Sequence, residues 1–163
     1  MKYLFEILTS VIDTFSQKKN FNFIQKSFGN SFEVFFDIGF HKGETTNLAN
    51  SFFNIKKIYA FEPDARVIKK KIQNTKNLVL ENVGVGEENG IKTFNLNTFS
   101  SINSFNQINT KSKYSKKKQR ILELIYTNKD ISSKINVPVI TLDKYCSQKK
   151  IKKIDILKID TEG

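Results

Sequence analysis

The sequence predicts an α/β protein, a mostly parallel sheet with flanking helices. Short apolar runs rich in β-branched and aromatic residues alternate with helix-length segments, and three of those runs end in an acid. A succession of strand, helix, strand, helix and strand implies parallel pairing through right-handed crossovers. At 163 residues the chain has the length of one domain around one core.

The elements follow in order. Leu4, Ile7, Leu8, Val11, Ile12 and Phe15 recur at steps of three and four, with Glu6 and Asp13 off that face. This predicts an amphipathic leading helix that covers one side of the domain, with residues 1–30 as helix and linker and 31–163 as the α/β domain. Glu33 to Ile38 reads as a buried strand, and Gly43 to Phe53 as the helix after it. A second strand spans Lys57 to Phe61, and Pro63 then opens a helix through Asn74 whose inner face is Ala65, Ile68 and Ile72. A third strand, "NLVLENVGV", begins near Leu78. The Asn89-Gly90 turn signal within "EENGIKTFNL" predicts a hairpin or an edge excursion. From 98 to 135 the pattern weakens into a basic insertion containing "KSKYSKKKQR" and a short helical patch at Ile121, Leu122 and Ile125, a loop or lid over a site or a solvated insertion. "NVPVITLDKY" returns to strand and helix start, and Ile154 to Ile159 is a further buried strand ending in an acid.

Composition narrows the classes of partner. The formal charge of +11 comes almost wholly from Lys, with Arg66 and Arg120 as the only guanidinium groups. Specific nucleic-acid recognition relies on Arg for bidentate contacts, so it is not expected here, although a basic surface favours anionic substrates or membranes at long range. A lone Cys146 forms no internal disulfide, and one His with one Cys builds no multidentate zinc site, so no structural zinc and no metal ligands are expected, while whether a metal assists stays open. Glu6 and Asp13 interrupt any signal-peptide core at the N-terminus, and no span approaches the roughly 20 apolar residues that cross a bilayer. A soluble cytoplasmic setting is expected.

The acids at the strand ends carry the functional reading. In an open parallel sheet, ligands sit beyond the carboxyl ends of the strands, where Asp37, Glu62 and Asp160 fall. Gly39 and Gly43 let the chain turn tightly and approach a ligand, with amides at the next helix start available to a polar group. Glu62, some twenty residues on, is placed to accept hydrogen bonds from both hydroxyls of a ribose, so a nucleoside-containing cofactor is expected. A pyrophosphate fingerprint has the form GxGxxG, whereas this loop is Asp-x-Gly-x-x-x-Gly. A carboxylate so close to the loop suits an ammonium group better than a diphosphate, favouring S-adenosylmethionine over a nicotinamide dinucleotide. A non-catalytic nucleoside-binding domain and an NAD-dependent oxidoreductase are the alternatives.

"VFFDIGFHKGETT", "IYAFEPD", "NVGVGEENG", "VITLDKY" and "IDILKIDTEG" occur in the order and spacing of one family. Over residues 32–163, apart from the middle segment, the chain resembles the FkbM-type methyltransferases, a branch of the Rossmann-like S-adenosylmethionine-dependent enzymes. The resemblance implies methyl transfer to a hydroxyl of a sugar, glycan or secondary metabolite, so the expected partner is a small-molecule or glycan acceptor. It places Asp37, Gly39 and Gly43 in the cofactor loop, Glu62 on the ribose, and Asn82 and Val83 within range of the adenine. Asp160 and Glu162 would face the methyl group and the acceptor, with Asp160 the candidate base or a positioning group. Phe40 and His41 depart from the small residue and Asn usual between the glycines, and His41 is expected to give a backbone contact or, alternatively, to help position acceptor or cofactor. Relative to the family fold the chain stops after its fourth core strand, which leads to the expectation of a fragment of a longer protein, weakly stable and with little turnover alone.

Overall fold

The computed structural model describes residues 2–68, 76–96, 104–105 and 133–161, with side chains from residue 14 onward. Helix α1 (Lys2–Phe28) leads into strand β1 (Ser31–Ile38), helix α2 (Glu44–Phe52), strand β2 (Asn54–Phe61), a helical turn α3 (Ala65–Ile68) and strand β3 (Leu78–Glu81). Strands β4 (Gly84–Val85), β5 (Gly90–Leu96) and β6 (Ser133–Ile140) follow, then helix α4 (Leu142–Lys149) and strand β7 (Ile156–Ile159). The expected α/β architecture with a mostly parallel sheet is present. The main sheet has the order β3-β2-β1-β7 and every pairing in it is parallel.

β1 is central because both of its faces and both of its edges are covered. Its last four residues, Phe35 to Ile38, are all buried. Phe35 packs with Phe21 of α1, Ala49 of α2, Phe53, Ile55 and Ile58 on one face. Phe36 and Ile38 pack with Phe61 and with Tyr145 of α4 on the other. This alternation is the period-two pleat of a strand buried on both sides. Tyr145 is the centre of the second cluster: its ring meets Phe61 edge-on at 4.8 Å and Phe36 at 6.0 Å. Its hydroxyl donates to Glu81 Oε1 at 2.8 Å, and burial beside that carboxylate pushes the phenol well up from its ordinary range. α4 is capped by Thr141, whose hydroxyl oxygen accepts from the Lys144 N–H.

Several elements differ from the sequence reading. Phe15 is 62% exposed, and α1 docks instead through Phe21, edge-on to Phe52 and Phe53 at 5.8 and 5.2 Å. The side chains of Leu4, Ile7, Leu8, Val11 and Ile12 lie outside the described residues. β2 begins at Asn54, three residues before Lys57, because parallel pairing with β1 extends it from the Ser31–Asn54 register. α3 starts after Pro63, with Asp64 accepting the Arg66 N–H at 3.0 Å, and it buries Val67 while Ala65 is exposed. Ile72 and the rest of that helix to Asn74 lie outside the described residues.

"NLVLENVGV" is two strands in two sheets. β3 ends the main sheet, and β4 joins a second sheet of order β4-β6-β5. No hairpin forms across Asn89-Gly90, because β6 enters between its arms, parallel to β4 and antiparallel to β5. Of the insertion at 98–135, the described residues are Ser104, Phe105 and the start of β6, and Phe105 stacks against Phe94 at 4.8 Å. "KSKYSKKKQR", Ile121, Leu122 and Ile125 lie outside the described residues.

The aromatic cluster on the α4 face yields a graded expectation. Phe36→Ala should destabilise the chain by about 3–5 kcal/mol, since a buried ring leaves a cavity. Tyr145→Phe should cost only about 1 kcal/mol, the net value of one hydrogen bond. Urea unfolding of both variants measures the difference, and equal losses would contradict this packing.

Candidate active site

Asp37, Glu62 and Asp160 stand at the tips of three adjacent strands. Asp37 is in register with Ala60 of β2 and Lys158 of β7. Glu62 follows Phe61, the last residue of β2, and Asp160 follows Ile159, the last residue of β7. The Asp160 N–H donates to the Ile38 carbonyl at 3.0 Å, which fixes the β7 tip against β1. The chain leaves β1 towards β2 on one side and returns as β7 on the other. The strand order therefore reverses at the β1/β7 edge, the place where open α/β sheets form their ligand crevice.

Asp37 has no solvent exposure. The pleat turns it to the α2 side, where the Thr46 hydroxyl donates to its Oδ2 at 2.7 Å. Lys158 Nζ lies 3.0 Å from Oδ1, an ion pair without hydrogen-bond alignment at that oxygen. Burial raises the Asp37 carboxyl above its ordinary range, and Lys158 and Thr46 offset this only in part. Asp37 thus faces protein on every side.

Glu62 ties the loop to the strand. Its Oε2 accepts the His41 N–H at 2.8 Å and its Oε1 accepts the Asp64 N–H at 2.9 Å. Burial raises its carboxyl, while these two bonds pull the other way. Asn82 donates from Nδ2 to the carbonyls of Glu62 and Pro63 at 2.8 and 3.0 Å, closing the β3 tip over the β2 tip. Val83 turns partly into the cluster around Phe36 and Phe61. Asp160 is different in kind, with its side chain 73% exposed and its carboxylate 3.6 Å from Lys158 Nζ. Glu162 lies outside the described residues.

The two glycines have reasons internal to the fold. Gly39, at φ +82°, sits so close to the β7 tip that a Cβ would overlap the Asp160 carbonyl oxygen. Gly43, at φ +78°, precedes α2, and a Cβ there would lie 2.6 Å from the Phe40 ring. The space that the sequence reading gave to a ligand is taken first by the protein. The loop amides are likewise engaged: Gly39 and Phe40 both donate to the Phe61 carbonyl at 3.1 and 3.0 Å, and Gly43 donates to the Phe40 carbonyl at 2.8 Å. The His41 side chain lies 3.6 Å from Glu44, while its N–H supplies the backbone contact to Glu62.

Thr46 and Lys158 were not singled out from the sequence. A lysine inside the apolar run "ILKI" was the available signal, because the pleat sets it on the same face as Asp37 in the next strand. A groove of about 500 Å³ lies at the opposite, amino ends of the strands, lined by Ile24, Phe28, Phe32, Asp155 and Ile156. Its acid is committed to structure: Asp155 accepts the N–H groups of Glu33 and Val34 and pairs with Lys153 at 2.7 Å. No group of three or more His, Cys, Asp or Glu placed to hold a metal occurs among the described residues.

The raised carboxyl of Asp37 has a signed consequence. Above the ordinary value of 3.8 and below its raised folded value, the folded chain keeps a proton that the unfolded chain has released. This contribution to stability is fully present at lower pH and is lost as pH rises through the folded value. The urea midpoint of the wild type should therefore fall relative to Asp37→Asn as pH rises through that window. A difference that does not change with pH would contradict the burial of this group.

The family model described as the Methyltransferase FkbM domain matches residues 37–163, from the buried acid of β1 through the β7 tip. No curated protein and no solved structure matches the chain. With most of its length under that one family model, and with the parallel sheet the family resemblance implied, the chain belongs to the FkbM methyltransferase family.

Proposed function

We propose that the chain uses S-adenosylmethionine to methylate a hydroxyl group of a small molecule or glycan, such as a sugar or secondary metabolite. The observation that carries the choice of cofactor is the state of the glycine loop. A dinucleotide needs backbone N–H groups aimed at its pyrophosphate. Here the amides of Gly39, Phe40, His41 and Gly43 all donate within the protein, and the acids Glu62 and Asp160 stand at the neighbouring strand tips. Carboxylate acceptors repel phosphate and suit hydroxyls and cationic groups.

In this reading Glu62 holds the ribose. Each of its oxygens accepts one backbone N–H, which leaves further lone-pair capacity on both for a diol. Asn82 and Val83, beyond β3, border the adenine. S-adenosylmethionine supplies an activated methyl group on a sulfonium, so the protein's task is to align an acceptor oxygen and remove its proton. Asp160 is the candidate for that proton, because its backbone is fixed to Ile38 while its carboxylate is open to solvent. Asp37, enclosed by Thr46 and Lys158, shapes the loop from beneath.

Calorimetric titration with S-adenosylhomocysteine tests this reading. The wild type should bind, and Glu62→Ala should weaken binding by at least about tenfold, as expected for loss of hydrogen bonds to a charged acceptor. Binding of NADH, seen as enhanced nicotinamide fluorescence, with no binding of S-adenosylhomocysteine would overturn it.

A further inference from the structure

We propose that Lys158 is a positioning residue for this site: one ammonium group holds the Gly39 turn and the Asp160 carboxylate in fixed relation across the β1/β7 crevice. Its effect on ligand affinity rests on the cofactor reading above, whereas its hold on the turn does not. Leu157 and Ile159, its neighbours on β7, are 45% and 62% exposed, and the pleat turns Lys158 to the other face beside Asp37. There its Nζ donates to the Gly39 carbonyl at 2.9 Å and lies 3.0 Å from Asp37 Oδ1 and 3.6 Å from Asp160 Oδ2. The side chain is only 18% exposed, so its contacts with Gly39 and Asp37 are made largely out of water, where charge-assisted bonds are stronger, whereas its pair with Asp160 lies at the surface.

The three partners differ in their need of this lysine. Asp37 requires a counter-charge because it has no solvent contact. Asp160 is 73% exposed and would be solvated without one, yet its carboxylate stands beside the same ammonium. The Gly39 carbonyl is the third partner, on the residue whose backbone already abuts the Asp160 carbonyl. Lys158 therefore spans by side chain the same gap that Gly39 and Asp160 close by backbone contact. Moving the ammonium releases the turn that leads to Glu62's partner His41 together with the acid that faces the acceptor.

Amide hydrogen exchange on the 163-residue chain tests the proposal, with β5 and β6 as the internal reference, alongside calorimetric binding of S-adenosylhomocysteine. In Lys158→Gln the amides of 39–43 should exchange about tenfold faster or more, with β5 and β6 unchanged, and Kd should rise about tenfold. Lys158→Arg, which keeps the charge, should restore most of both. Equal acceleration everywhere would mean general destabilisation and would overturn the proposal, as would an unchanged loop or an unchanged Kd despite a faster loop. If the wild type binds no S-adenosylhomocysteine while the loop alone accelerates, Lys158's hold on the turn is supported and the cofactor reading is the one that fails.

Discussion

A carboxylate with no solvent contact, at the end of the central strand, dictates the arrangement around it. Asp37 needs a donor and a counter-charge, and each comes from an element whose position is thereby constrained. Thr46 reaches it only if α2 starts directly after Gly43, and Lys158 reaches it only if β7 pairs with β1 in the observed register. The same lysine takes the Gly39 carbonyl, so the glycine turn, the helix start and the β7 tip converge on one buried charge. The enclosed Asp37 and the exposed Asp160 thereby stand at the ends of adjacent strands, the position where open α/β sheets bind ligands.

Much of this was legible in the sequence because it is encoded locally. The run from Glu33 to Ile38, the acids that end it and its two neighbours, and the ordered motifs through "LKIDTEG" all report strand tips without knowledge of partners. What escaped depends on distant residues. β6 separates the arms of an apparent hairpin although it begins 37 residues after β5 ends, and no turn signal at Asn89-Gly90 carries that information. Helical period grouped Phe15 with the inner face of α1, but periodicity does not say which stretch of a helix meets a partner, and Phe21 makes that contact. Lys158 in isolation resembles any surface lysine, and only its register with Asp37 shows where its charge goes. The glycines were read as sites where the backbone approaches a ligand, and the groups close to them in the structure, the Asp160 carbonyl and the Phe40 ring, are the protein's own.

The site chemistry runs against the charge of the whole. The chain carries +11 formally, yet the described side chains at the strand tips are mainly carboxylates. The basic charge acts at long range, whereas the carboxylates at the strand tips act at contact distance and are partly offset by Lys158. The chain belongs to the FkbM methyltransferase family, and on the proposed reading a sulfonium donor and a hydroxyl acceptor both suit carboxylate partners.

On the proposed reading the cofactor binds at the carboxyl ends of the strands and not in the groove at their amino ends. Amide chemical-shift mapping on a ¹⁵N-labelled chain titrated with S-adenosylhomocysteine distinguishes the two directly. Binding at the carboxyl ends concentrates the shifts at Gly39, His41, Asp64 and Asn82. Shifts concentrated at Ser31, Phe32, Asp155 and Ile156, with the glycine turn unmoved, would contradict it.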